Sequence, residues 1–418
     1  MKKSLFAIAA VTAFAGAAQA QSSVTVYGLL DVGYIGGNSR LTNTSSTPVS
    51  RTTTNQFGQS AESTSRLGFK GVEDLGGGTS AFFTAEFALE PQNTLTSGNS
   101  NGGLLNRQTF AGLKKNGIGQ TALGLQTTGV FNAVAVTDPG QMNNVTGNVI
   151  YSSYAGGTSN SDSGANSIGF TNRIANVITF KTDKFAGFTA NALYSMNNKN
   201  QNQVTTTTVT SGGNTNAGGW GLGADYAIQK FYVNAQYQAF KQLTTATDLG
   251  TAAQGNTAVF TQPQANGATS APTTAVSGAQ GYNVQDNQFY AGATYDFGIL
   301  KAYAQYLNRK ATSTVNANYF VKRQAEQIGV RSYITPTIEA WASAGLGRYT
   351  AFGPNNGAVN FNAWQLGSNY YLSKRTNLYA IYGQTLSSTG SYTTVSGTTV
   401  GNNSSGASNY AIGVRHTF

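Results

Sequence analysis

Cysteine is missing from all 418 residues. Its absence excludes a disulfide framework, a thiolate nucleophile and any cysteine-based metal or redox centre. Charge is scarce as well: Asp, Glu, Lys and Arg make up 10% of the chain, against roughly 25% in a soluble globular domain. Histidine occurs once, as His416, so close to the C-terminus that it makes a poor base for a nucleophilic hydrolase. Long apolar runs are lacking; no window after the N-terminus approaches the ~20 residues of a spanning helix. Basic residues outnumber acidic ones, 25 to 15, but they are spread thinly, whereas nucleic-acid binding wants them clustered on one element. No His/Asp/Glu cluster has metal spacing, and Gly76-Gly77-Gly78-Thr79 is not followed by the Gly-Lys-Ser/Thr of a phosphate loop. No cofactor, no metal, no nucleic acid and no enzymatic activity are therefore expected.

What fills the gap is polar and uncharged. The chain has 51 Gly, 22 Tyr and 22 Phe among many Asn, Thr and Gln, and its mean hydropathy is −0.24. The N-terminus stands apart: Met1-Lys2-Lys3, a short apolar run from Leu5 to Ala15, and Ala18-Gln19-Ala20 make a basic region, an apolar region and a cleavage site. That order is a secretory signal peptide. Residues 1–20 are expected to be removed, leaving 21–418 as one domain outside the cytoplasm.

Alternation organises the rest. In Arg66–Lys70, Leu67 and Phe69 oppose Arg66, Gly68 and Lys70; in Ala81–Leu89, Phe83, Ala85 and Phe87 oppose Phe82, Thr84 and Glu86. Val24, Val26 and Leu30 oppose Thr25, Tyr27 and Asp31, and Phe231, Val233 and Tyr237 oppose Asn234, Gln236 and Gln238. Period 2 marks strands with two different surroundings. Strand one is expected over Ser23–Tyr34, followed by a polar loop to about Ala61. Sixteen strands are expected in all.

Connections alternate in length. Ala227–Lys230, Asp296–Ile299, Ile334–Thr337 and Ser373–Thr376 are tight; Asn198–Asn216, Lys241–Gln285 and Ser387–Ala407 are long and rich in Asn, Thr, Ser and Gly. Aromatic residues near strand ends, such as Tyr370-Tyr371 and Tyr349, suggest girdles. Together these are the marks of an outer-membrane barrel. Unpaired backbone cannot face lipid, so the sheet must close, and closure at sixteen strands leaves an aqueous channel. One stretch breaks the pattern: Thr127–Asn172 shows little sustained alternation, and a segment of this length reads as a functional loop.

The chain resembles the trimeric general-diffusion porins of Gram-negative outer membranes, in particular the neisserial and betaproteobacterial branch. The resemblance is carried by Val24-Thr25-Val26-Tyr27-Gly28, by Ser65-Arg66-Leu67-Gly68-Phe69-Lys70-Gly71 with Glu73-Asp74-Leu75-Gly76, and by Asn106-Arg107-Gln108 with Ala111-Gly112-Leu113. Leu372-Ser373-Lys374-Arg375-Thr376 and the terminal Gly413-Val414-Arg415-His416-Thr417-Phe418 extend it over the whole mature chain.

The resemblance implies an all-β, 16-stranded antiparallel transmembrane barrel, assembled as a homotrimer in the outer membrane and passing small hydrophilic solutes and ions. It implies that Thr127–Asn172 folds inward as a constriction loop, with basic wall residues at Arg66, Arg107 and Arg173. Lys70 shares the face of Arg66. Glu86, Asp138 and Asp162 are the candidate acidic side, and mild anion preference is expected. Phe418 is similar to the terminal aromatic read by barrel-assembly machinery, and lipopolysaccharide is the expected lipid neighbour. Three features depart from the family pattern. Leu29 stands where a basic residue is frequent, the end of strand five reads Gly124-Leu125-Gln126, and no acidic loop motif is present. The competing reading is a surface adhesin or structural barrel with a plugged lumen, motivated by the long loops.

Overall fold

Alternating residues give strands, and here the strands close on themselves. The computed structural model describes residues 23–43, 50–92, 104–151, 170–205, 210–244, 284–314, 317, 320–352, 357–393 and 399–418. The expected signal segment and Asp162 lie outside the described residues, as does the long connection 245–283. The strands are β1 (Ser23–Asn43), β2 (Ser50–Gln59), β3 (Arg66–Gly76), β4 (Thr79–Ala88), β5 (Asn106–Lys115) and β6 (Gly119–Thr127). After helix α1 (Gly129–Thr137) come β7 (Arg173–Thr182), β8 (Phe188–Thr205), β9 (Thr210–Ile228), β10 (Phe231–Thr244) and β11 (Val284–Asp296). The chain ends with β12 (Lys301–Ser313), β13 (Phe320–Thr335), β14 (Ile338–Phe352), β15 (Gly357–Tyr371), β16 (Thr376–Thr393) and β17 (Thr399–Thr417).

These seventeen segments form sixteen strands. β2 and β3 both lie antiparallel along β1, one against Val32–Leu41 and the other against Ser23–Leu29. They are two halves of one strand, interrupted where 60–65 leaves the sheet. Asp31 cradles the interruption: its carboxylate accepts from the Glu62 and Ser63 amides at 2.8 and 2.7 Å, and its carbonyl from Ser60 N at 2.9 Å. Every other neighbour in the sheet is the next strand in sequence, and β17 pairs with β1 from Leu29↔Thr417 to Asn43↔Asn403. At the seam, Gly28 and Phe418 exchange backbone bonds of 3.1 and 3.0 Å. The sheet has no free edge there, as hydrocarbon surroundings require.

Strands run longer than alternation alone suggests. The polar loop expected after Tyr34 is instead more strand, because Gly36 to Leu41 pair with β2 on one side and Gly36 to Asn43 with β17 on the other. Likewise β8 continues to Thr205 and β16 to Thr393. A closed barrel supplies ladder partners on both sides, and that overrides the weak strand propensity of Gly and Asn.

The two faces differ as the alternation predicts. Outward positions such as Val24, Leu222, Ile328 and Leu366 expose their apolar side chains. Outward aromatics gather toward the short turns, with Phe188 against Tyr226 and Tyr295 against Phe297. Tyr349 and Tyr371 do not belong to such a girdle. Tyr349 accepts from Arg323 Nε inside at 2.9 Å, and Tyr371 donates to Glu339 Oε2 at 2.8 Å. The largest apolar cluster lies within the barrel: Val130, Val134, Val149, Ile150 and Phe170 pack on Tyr290, Leu307 and Phe361 of the inner wall.

Candidate functional site: an arginine wall and an inserted segment

Three strands on one side of the barrel bring guanidinium groups together. Arg66 opens β3, Arg107 is the second residue of β5 and Arg173 opens β7. Glu86, on β4 between the first two, accepts from Arg107 Nε at 2.7 Å and lies 4.0 Å from Arg66 Nη1. Tyr27 donates to the other oxygen of Glu86 at 3.1 Å. Arg66 also donates to Thr64 O at 2.8 Å and Ser63 Oγ at 3.0 Å, so the strand interruption helps aim it. Arg173 stacks over Phe131 of α1 with 5.4 Å from its Cζ to the ring centroid. Further toward the short turns, exposed Lys70 sits 5.4 Å from the Tyr27 ring centroid. Arg66 and Arg107 thus share the carboxylate of Glu86, and the charge of Arg173 acts on both of them.

Opposite them, residues 128–151 line the inner face of the far wall. Thr128 caps α1 by accepting from Phe131 N at 3.2 Å, and Val130, Ala133, Val134 and Thr137 are buried on one helical stripe. That spacing puts a continuous apolar face on the barrel wall. Beyond the helix, wall side chains hold the backbone. Gln238 and Gln288 bond Val130 N and Thr171 N at 3.4 and 3.0 Å, and Gln327 bonds Val149 N at 3.1 Å. Gln365 donates to the carbonyls of Val145 and Thr146 at 2.5 and 2.9 Å. Arg331 donates to Pro139 O at 2.9 Å, and Arg323 donates to Val149 O. At its far tip Asn144 reaches the strand interruption, N to Ala61 O at 2.9 Å and Nδ2 to Ser60 O at 2.7 Å.

Asp138 follows α1 and is buried. Its carboxylate accepts from Met142 N at 2.6 Å, Asn148 Nδ2 at 2.9 Å and Gln327 Nε2 at 3.0 Å. Burial pushes its pKa up, while these donors and the Arg331 charge oppose the rise. Tyr151 is held above its ordinary value by burial, opposed by the charges of Arg173, Arg107 and Arg66.

The expected site residues thus fall in different places. Arg66, Arg107 and Arg173 are brought together. Glu86 joins the arginines on their own wall instead of facing them from across the lumen. Asp138 does not face water; it ties the inserted segment to β13. The wall residues that grip this segment, Gln238, Gln288, Gln327, Gln365, Arg323 and Arg331, are additional to the expected set. Their signal in the sequence is the recurrence of Gln and Arg on the polar face of successive strands, where a channel lining alone would not require one residue type.

A family model described as Gram-negative porin matches residues 7–390. Outer membrane porin protein 32 of Delftia acidovorans is 33% identical over 205 residues, 48% of this chain and 51% of that protein. The match therefore spans about half the length of that relative. An outer membrane porin protein of Bordetella pertussis is 28% identical over 433 residues, covering 100% of both chains. Among solved structures, the anion-selective porin from Comamonas acidovorans shares the fold with a TM-score of 0.60, covering 95% of this chain and 100% of that one at 19% identity. An adhesin or plugged structural barrel is not what these likenesses favour. The closed sixteen-stranded sheet, apolar outside and polar within, and the family match across most of the sequence lead to one conclusion: the chain belongs to the Gram-negative porin family, channel-forming β-barrels of the cell outer membrane.

Proposed function

We propose that this barrel is a homotrimeric general-diffusion channel for small hydrophilic solutes and ions, with a preference for anions. The observation that carries the preference is the Arg66–Arg107–Arg173 group, in which Arg66 and Arg107 share the carboxylate of Glu86 and Arg173 adds its charge beside them. Low-dielectric walls focus such a potential into the aqueous path and enrich counter-ions. The segment 128–151 narrows the lumen from the opposite side and leaves this wall as the charged boundary of the passage. Residues 1–20 direct export and are removed. Phe418 serves the assembly machinery while its ring closes the seam. The chain carries out no catalysis.

Planar-bilayer recording in a salt gradient tests the reading. Stepwise conductance in multiples of three with an anion-selective reversal potential is expected. A cation-selective reversal potential, or no conductance from folded protein, would overturn it.

A further inference from the structure

Asp31, on the polar face of β1, is fully buried, and among the described residues no Lys or Arg forms an ion pair with it. A buried carboxylate without a cation is costly to keep. Its bonds hold the interruption between β2 and β3. One carboxylate oxygen takes the Glu62 and Ser63 amides, and the Asp31 N–H donates to Ser65 Oγ at 3.0 Å. Tyr379 of β16 donates to the other oxygen at 2.6 Å. Glu62 is fixed in turn by Asn377 Nδ2 at 3.0 Å and Arg415 Nη1 at 3.5 Å. Ser60 takes a left-handed backbone with φ of 59°, a conformation that a serine holds only at a cost.

What this hold controls is the next residue along the chain. Arg66 Nε donates to Thr64 O and its Nη2 to Ser63 Oγ, so two of its three nitrogens are tethered to the segment that Asp31 fixes. The third, Nη1, stands 4.0 Å from Glu86 Oε1, whereas Arg107 closes to 2.7 Å on the same oxygen. The Arg66 side chain keeps 25% of its surface exposed, against 5% for Arg107, so of the two it is Arg66 that faces water. Released from 60–65, Arg66 would fold onto Glu86. A charge paired at contact distance projects little field into the lumen.

We infer that Asp31 is a positioning residue for ion selectivity: by fixing 60–65 it keeps Arg66 off Glu86 and turned to the aqueous path, so that a negatively charged wall residue supports anion preference. That sign is opposite to the one its bare charge would give, since a carboxylate in a low-dielectric wall enriches cations. The inference rests on the anion-preferring channel reading and adds to it a residue that touches no solute. Asn144 of the inserted segment also rests on Ser60 and Ala61, so the test has to separate a route through Arg66 from one through that footing.

Reversal potentials of the purified full chain in planar bilayers, under a salt gradient, provide that test. Asp31→Asn should move the potential toward cations, in the same direction as Arg66→Gln. A move toward anions, as removal of a bare negative charge predicts, or no move at all, would overturn the inference. In an Arg66→Gln background the cationward move should disappear, because residues acting through one another are not additive. Its persistence there would assign the effect to the Asn144 footing and overturn the route through Arg66. Tyr379→Phe keeps every charge and removes one donor to Asp31, so it should shift the potential the same way by less. An unmoved potential in that variant would also overturn the inference, and it decides alone if Asp31→Asn does not fold. Hydrogen exchange of the peptide containing 60–65 is read in detergent, apart from conduction. It should quicken in both variants; a shifted potential with unchanged exchange would refute the hold on the segment. A wild type lacking anion preference would instead defeat the channel reading, while quickened exchange in Asp31→Asn would still show what Asp31 holds.

Discussion

Arg107 on β5 and Glu86 on β4 meet at 2.7 Å, and Arg66 on β3 lies 4.0 Å from the same carboxylate oxygen. Glu86 thus moderates the positive field of its own wall, and the two kinds of residue there should act on selectivity in opposite senses.

Replacing Arg66 and Arg107 together by glutamine should move the reversal potential in a salt gradient toward cations. Replacing Glu86 by glutamine should move it further toward anions. The second variant also removes the carboxylate from a buried pair, which costs about 3 kcal/mol and should lower the urea midpoint of the barrel. Shifts of the same sign in both variants would place these residues off the ion path.

Arginine keeps its charge throughout the range in which proteins stay folded. Burial keeps the Tyr151 phenol neutral past its ordinary range. Anion preference should therefore be flat from about pH 6 to pH 9. A step within that range would point away from the arginines as the source of the preference. Reversal potentials measured across that range decide the matter.

Asp138 gathers three donors, and each donor left buried and unpaired costs about 1–3 kcal/mol. Asp138→Ala should free the inserted segment from β13 and raise open-channel noise and voltage sensitivity. Asp138→Asn keeps one acceptor oxygen for Asn148 and Gln327 but presents an amide to the Met142 N–H, so its effect should be intermediate. Limited proteolysis within 138–151 should follow the same order, and the sixteen-stranded wall should remain folded in both.

A Cβ on Gly28 would come within 2.5 Å of both the Phe418 ring and the Arg66 carbonyl. Gly28→Ala should force the ring out of the seam at a cost of about 1–3 kcal/mol. The folded, heat-modifiable species on a gel should melt at lower temperature. Phe418→Ala relieves the clash, so the double variant should recover part of the loss; no recovery would separate Phe418 from the defect.

Much of this architecture is written in the alternation of the sequence. Leu67 and Phe69 against Arg66 and Lys70 already assigns lipid and lumen, because one residue of slip would invert every side chain. The extension of β1 past Tyr34 was not legible, since Gly36-Gly37-Asn38-Ser39 carries no two-sided pattern and owes its conformation to neighbours remote in sequence. α1 was hidden for a related reason. Its Val-rich stripe has weak helix propensity, and it is stabilised by burial against β10 and β11 inside the barrel. The proximity of Glu86 to Arg107 needed the β4–β5 register, in which a shift between Glu86 and Phe87 occurs. Alternation gives the face but not the height, so a carboxylate expected across the bore could equally belong to the arginines' own side.

The interruption between β2 and β3 gives the inserted segment a second footing. Because Asn144 grips Ser60 and Ala61 while Gln327 and Gln365 grip from the far wall, the segment behaves as a strut fixed at both ends and not as a hinged flap. Anyone wishing to widen this tunnel would have to release both footings: loosening one alone turns the strut into a swinging gate, and the reward would be flicker in place of a larger bore.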